Sequence, residues 1–138
     1  MIAVAIGLKI PDNTAYTALV ALRLLGVEVE RVTRSEIRFF DDEDPEALAI
    51  AVMNDETIFN PNKHRLSVLD SPTPHPGEVW ILPLGDGPRP NAVSWRLSDA
   101  KGLPVDDGVL RAAVERLLCN PAIERAVAAS GTLERNDS

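Results

Sequence analysis

The tightest group of side chains able to do chemistry is Lys63-His64-Arg65, which follows the turn signal Asn60-Pro61-Asn62. Two cations and an imidazole beside exposed turn amides suit a carboxylate or a phosphate. Lys63, His64 and Arg65 are therefore the candidate anion ligands, with a solvated turn flank as the alternative reading. His75 sits in Ser71–Gly77, a stretch holding three prolines, where a solvated ring is expected. Neither histidine has a carboxylate at a spacing that marks an orienting partner for general-base work. A metal site made from His64, Asp70 and His75 matches no ligand spacing, and the acidic run Asp41 to Glu46 lacks the calcium-loop pattern with its central glycine. No metal and no cofactor are expected. Cys119 is the one cysteine, so an internal disulfide and a cysteine-based zinc cluster are excluded. With no base beside it, Cys119 reads as a buried, inert thiol rather than a nucleophile. Gly85 to Asn91 is glycine-rich but has neither the GxxxxGK[ST] pattern nor a following helix, so it reads as a hairpin connection. No catalytic residue is expected in the chain itself.

The elements that must position these residues begin with Ile2–Ile10, whose strict alternation predicts a strand buried on one face. Asp12 or Asn13 caps a helix from about Thr14 to Leu25, and Gly26 ends it. Val27–Val32 and Ile37–Phe40 read as two strands joined by a tight reversal at Thr33–Glu36. A second helix runs from Pro45 to about Asn54, with Asp44 as its cap and the acidic run at the favourable end of its dipole. Leu66–Leu69 is a short strand. Glu78–Leu84 and Ala92–Leu97 are a strand pair, Asp106 or Asp107 caps a helix to Leu118, and Asn120-Pro121 interrupts it. Ala122–Ala129 is expected to resume as helix and Ser130–Ser138 to be a polar tail. The predicted core includes Ile6, Leu8, Leu19, Leu22, Leu48, Val52, Leu110, Val114 and Leu117.

These elements make an α+β fold: a ferredoxin-like antiparallel sheet with helices mainly on one face, extended by a second ββα half. One domain is expected over residues 1–138. Its parts are a βαββαβ portion (1–70), a proline-rich connector (71–77), a ββα portion (78–129) and a flexible tail (130–138). A weak internal echo of two strands, an acid-capped helix and an Asn-Pro links Val27–Pro61 with Glu78–Pro121. The first helix is apolar around more of its surface than one sheet can cover. Either the second half of the chain or another subunit must cover the remainder, and a homo-oligomer, at least a dimer, built through the sheet and this helix is expected.

At 138 residues the chain is long enough for a core without staples. A net charge of −7 without a basic block argues against nucleic acid, whose phosphates are bound by clustered Lys and Arg. Eleven Arg against three Lys is read as genomic composition. No apolar run approaches a membrane span and Met1 leads straight into the first strand, so a cytoplasmic protein is expected.

Leu117-Leu118-Cys119-Asn120-Pro121-Ala122-Ile123-Glu124 resembles the LLANPxxE segment that ends a helix in the PurS subunit of phosphoribosylformylglycinamidine synthase. The opening strand ending in Leu8-Lys9 with Asp12 shortly after, and the passage Leu25-Gly26-Val27-Glu28-Val29-Glu30-Arg31-Val32, are also similar to that family. Asn120, Pro121 and Glu124 are the family-motif positions. Here the motif stands some sixty-five residues beyond the helix that it follows in PurS proteins. The DPxG entry to the first helix is replaced by Asp12-Asn13-Thr14-Ala15, and the RVGK-like turn by residues around Thr33–Glu36. The resemblance implies a non-catalytic accessory subunit of a glutamine-dependent ligase. Such a subunit associates with copies of itself and helps join the larger synthetase and glutaminase subunits in purine biosynthesis. The alternatives are a small ferredoxin-like enzyme or binding domain for an acidic metabolite, built on Lys63, His64, Arg65 and the Gly85–Asn91 loop, and a purely homo-oligomeric module.

Overall fold

Val4 and Ile6 are buried on one face of β1 (Ile2–Leu8) and Ala3 on the other, so this strand is central rather than one-sided. The structure, a computed structural model, describes residues 1–85 and 91–133. Asp12 caps α1 (Asn13–Leu24) by accepting the Ala15 amide at 3.0 Å, and Gly26, at φ +82°, ends it. Val27 and Val29 are buried but lie outside any strand.

The chain then runs straight through the expected reversal as β2 (Arg31–Phe40). Thr33-Arg34-Ser35-Glu36 offers no Gly, Pro, Asn or Asp to bend it, and neighbours on both sides pair along it. Asp44 caps α2 (Pro45–Met53) through the amides of Glu46 and Ala47. β3 (His64–Val68), β4 (Glu78–Pro83) and β5 (Ala92–Ser98) follow. α3 (Asp107–Ala113), capped by Asp106, widens into a π-helical turn over Val114–Leu118, where the Cys119 amide donates to the Val114 carbonyl at 3.3 Å.

The expected resumption of helix beyond Pro121 is instead β6 (Glu124–Ala128), and part of the expected tail is β7 (Gly131–Leu133). Pairing with β4 overrides the helical preference of this alanine-rich stretch, because it buries Ala126 and Ala128. Of the expected loop and tail, residues 86–90 and 134–138 lie outside the described residues.

Among the described residues seven strands form one antiparallel sheet in the order β3-β1-β2-β5-β4-β6-β7. Register fixes the faces. Ile6 is opposite Glu36, Glu36 opposite Val93, and Val93 opposite Ile81, so these four share a face. On it Val4 and Ile6 pack with Leu48 and Val52 of α2, while Val79, Ile81 and Leu97 pack with Leu22 of α1 and with Leu110 and Val114. The helices thus occupy one side of an α+β sheet. The opposite face holds a smaller cluster of Ala3, Ile37, Trp80, Leu82 and Ala92. Among the described residues no helix is long and apolar enough to cross a membrane.

Ile6, Leu22, Leu48, Val52, Leu110 and Val114 are buried as expected, but Leu8 and Leu19 are half-buried and Leu117 is exposed. The π turn directs Leu118 inward in place of Leu117. The second half does cover α1, through Leu22. The outer stripe Tyr16, Val20 and Leu24 stays in solvent.

Candidate functional site

The two Asn-Pro segments are twins. The Asn120 amide donates to Glu124 Oε1 at 2.9 Å, its Oδ1 accepts from Ala122 N at 3.1 Å, and its carbonyl accepts from Ile123 N and Glu124 N at 3.1 and 2.8 Å. Sixty residues earlier the Asn60 amide donates to His64 Nδ1 at 2.9 Å, its Oδ1 accepts from Asn62 N at 2.9 Å, and its carbonyl accepts from Lys63 N and His64 N at 3.0 and 2.7 Å. Each turn closes on the first residue of a strand, β6 or β3. Asn120 and Glu124 therefore satisfy backbone groups and launch a strand, and Pro121 supplies the fixed φ between them.

The twinning extends to the sheet. Val4 is opposite Arg38 and Val68, and Val79 is opposite Trp95 and Ala128; Ile6 is opposite Glu36 and Leu66, and Ile81 is opposite Val93 and Ala126. By these registers β1, β2 and β3 correspond to β4, β5 and β6, and Glu36 corresponds to Val93. Since Glu36 is paired with Val93, an approximate twofold axis passes through that pair, normal to the sheet. Asp44 stands four and eight residues before Leu48 and Val52, and Asp106 four and eight before Leu110 and Val114, so α2 corresponds to α3. The expected echo paired Val27–Pro61 with Glu78–Pro121. Its first member in fact begins at β1, and among the described residues the second half shows no counterpart of α1.

The basic cluster does not converge. On a strand successive side chains alternate faces, so His64, opposite Leu8, lies on the helix face and Arg65, opposite Gly7, on the other, with Lys63 exposed in the turn. His64 Nδ1 accepts a backbone proton, which leaves Nε2 as the protonated nitrogen of the neutral ring. The ring contributes to a cleft of about 340 Å³ with Asp12, Arg34, Glu36 and Asn91. The charges there are already matched. Arg34 Nε lies 3.6 Å from Asp12 Oδ2 with its guanidinium over the Trp95 ring, and Arg38 Nε lies 2.8 Å from Glu36 Oε1. That last contact is an ion pair without hydrogen-bond alignment, because Arg38 Nε has no hydrogen-bond partner.

A second polar group joins Asp70 and His75 to Glu78, with His64 elsewhere on β3. His75 is oriented after all: Nε2 lies 3.1 Å from Asp70 Oδ1 and Nδ1 lies 3.6 Å from Glu78 Oε2. Glu78 is buried, accepting from Trp80 Nε1 at 3.0 Å, Ser94 Oγ at 3.4 Å and Arg96 at 3.1 Å. The carboxylates stand five residues before and three after His75, and the intervening prolines hid their convergence. This cluster fastens the 69–77 connector to the start of β4.

Cys119 is half-buried rather than buried and borders a cavity of about 420 Å³ lined by Leu84, Val114, Glu115, Glu124, Arg125 and Leu133 among others. Burial, and secondarily the Glu124 carboxylate, push its thiol pKa up, which opposes thiolate formation. Comparison with family models, with curated proteins and with solved structures finds no match.

Proposed function

We propose that the chain is a non-catalytic assembly subunit related to PurS, in which two PurS-like halves are joined in one polypeptide. The observation that carries this reading is the pair of Asn-Pro turns, which have the same hydrogen bonds at corresponding places. Each follows the helix of its half and opens the next strand. The family motif at Asn120, Pro121 and Glu124 is out of place if counted from α2. It falls where the family has it when counted from α3, the second half's own helix. In this reading the larger synthetase and glutaminase subunits of the purine-pathway enzyme are the partners, and the chain positions them without touching the reacting atoms. Mixing it with those two subunits from the same genome tests the idea. A co-eluting complex and a gain in glutamine-dependent amidine formation, with ammonia-dependent activity unchanged, are expected. Separate elution and unchanged glutamine-dependent turnover would end the proposal.

A further inference from the structure

Seven strands in an open sheet leave two edges, and they differ. Among the described residues β7 has three residues, whereas β3 presents five with no strand beyond it. The Lys9 amide donates to the Lys63 carbonyl at 2.8 Å and the Leu69 amide to the Ala3 carbonyl at 3.0 Å. Positions 63, 65, 67 and 69 therefore turn their backbone groups toward β1. By the alternation of an antiparallel ladder, Leu66 and Val68 turn N–H and C=O outward. The His64 amide is taken by the Asn60 carbonyl at 2.7 Å, which leaves only its C=O on the edge.

We propose that β3 pairs antiparallel with β3 of a second copy of this chain, about a twofold axis at Leu66. Leu66 then exchanges both backbone bonds with the partner's Leu66, and each Val68 amide donates to the partner's His64 carbonyl. The charges favour this register. The strand begins with Lys63 and Arg65 and is followed by Asp70, so antiparallel pairing sets the basic start of one copy beside the acidic end of the other. Arg65 falls opposite the partner's Ser67, and no like charges meet. Moving the axis to Arg65 would put two guanidinium groups face to face. α2 rests on β3 and carries the exposed side chains Ile50 and Met53, 62 % and 51 % accessible. An axis normal to the sheet brings the two α2 helices to the same side of the joint sheet, where these groups gain cover. The pairing also gives the edge a purpose for which its only guard is Arg65. Self-association is also what the PurS resemblance implies, whereas this edge and register rest on the geometry of β3 alone.

Sedimentation equilibrium across a concentration series tests the pairing, because the monomer mass is 15.0 kDa. The mass is expected to rise toward twice that value. Ser67 is exposed, so substitutions there leave the fold intact, as circular dichroism will check. Ser67→Arg opposes the partner's Arg65 twice and should weaken the dimer by about tenfold, while Ser67→Glu creates two opposite-charge pairs and should tighten it by a similar factor. A constant 15.0 kDa for the native chain and for Ser67→Glu alike would overturn the proposal. So would a dimer that the two substitutions shift in the same direction, which would place the axis elsewhere.

Discussion

Gly77 closes the connector and precedes Glu78, and replacing it with alanine separates two physical costs that are usually confounded. Its φ is +80°, and an added methyl would lie 2.6 Å from Pro104 Cβ and 3.0 Å from both Pro104 Cα and the Leu97 carbonyl oxygen. Pro104 cannot retreat, because it bridges Ser98 and its neighbours are tied by Asp99 N to Leu103 O and Val105 N to Leu97 O. Gly102 is the control. It has φ +81°, and its added methyl would meet only the far end of the Arg31 side chain at 3.7 Å. Both alanines incur a left-handed penalty of about 1 to 2 kcal/mol, partly offset by a stiffer unfolded chain. Gly77→Ala alone adds overpacking of about 1 to 3 kcal/mol. Denaturant melts should therefore show Gly102→Ala costing about 1 kcal/mol and Gly77→Ala about 2 to 4 kcal/mol. Equal losses within about 0.5 kcal/mol would refute the steric argument and with it the described seat of the connector on Pro104.

Glu78→Ala strands the buried Trp80 indole N–H while the exposed Arg96 guanidinium turns to water, so it should destabilise by about 1 to 3 kcal/mol and alter Trp80 fluorescence; a neutral melt would mean the carboxylate is not the hub of that network. The Cys119 thiol, held above its ordinary pKa by burial and Glu124, should react slowly with a disulfide reagent in the native protein and rapidly once unfolded, and equal rates would contradict its placement. The Asp55 carboxyl is held below its ordinary pKa by the Thr57 hydroxyl and then by the Thr57 amide. Its contribution is present above the unfolded carboxylate range and is lost as pH falls through the lower folded value. Thr57→Ala should move the Asp55 titration upward in an NMR experiment, and an unmoved curve would discount the hydroxyl.

What was legible in the sequence was local. The caps Asp12, Asp44 and Asp106 are side-chain signals read within three residues of the amides they satisfy, and the alternation of β1 is set by residues two apart. What was lost was set at long range. Thr33–Glu36 has β-favourable chemistry throughout, and only β1 on one side and β5 on the other make it one strand rather than two. Ala122–Ala129 looks helical because alanine is the best helix former, and β4 overrules it. The candidate site failed for the same reason. Lys63, His64 and Arg65 are adjacent in sequence and divided by the pleat. Asp70, His75 and Glu78 are separated by prolines and brought together by the connector's path over the sheet.

The two halves also differ in a way that their common register makes interpretable. Trp95 and Leu97 in the second half correspond to Arg38 and Phe40 in the first, by their pairing with β4 and β1 and by the Leu97 amide bond to Gly77. α1 belongs in sequence to the first half, yet Leu22 packs with Leu97, Leu110 and Val114 of the second, and Trp95 lies against the same cluster. Among the described residues the second half supplies no helix to return the cover. Where α1 shelters Trp95, the first half has the cation Arg38, ion-paired to Glu36, in the equivalent place. A tryptophan there would leave an indole face with no helix over it, whereas a guanidinium can end at a carboxylate and at solvent. Among the described residues no helix covers Arg38 as α1 covers Trp95, which suits a charge at that position, and Leu22 ties α1 to the core of the other half.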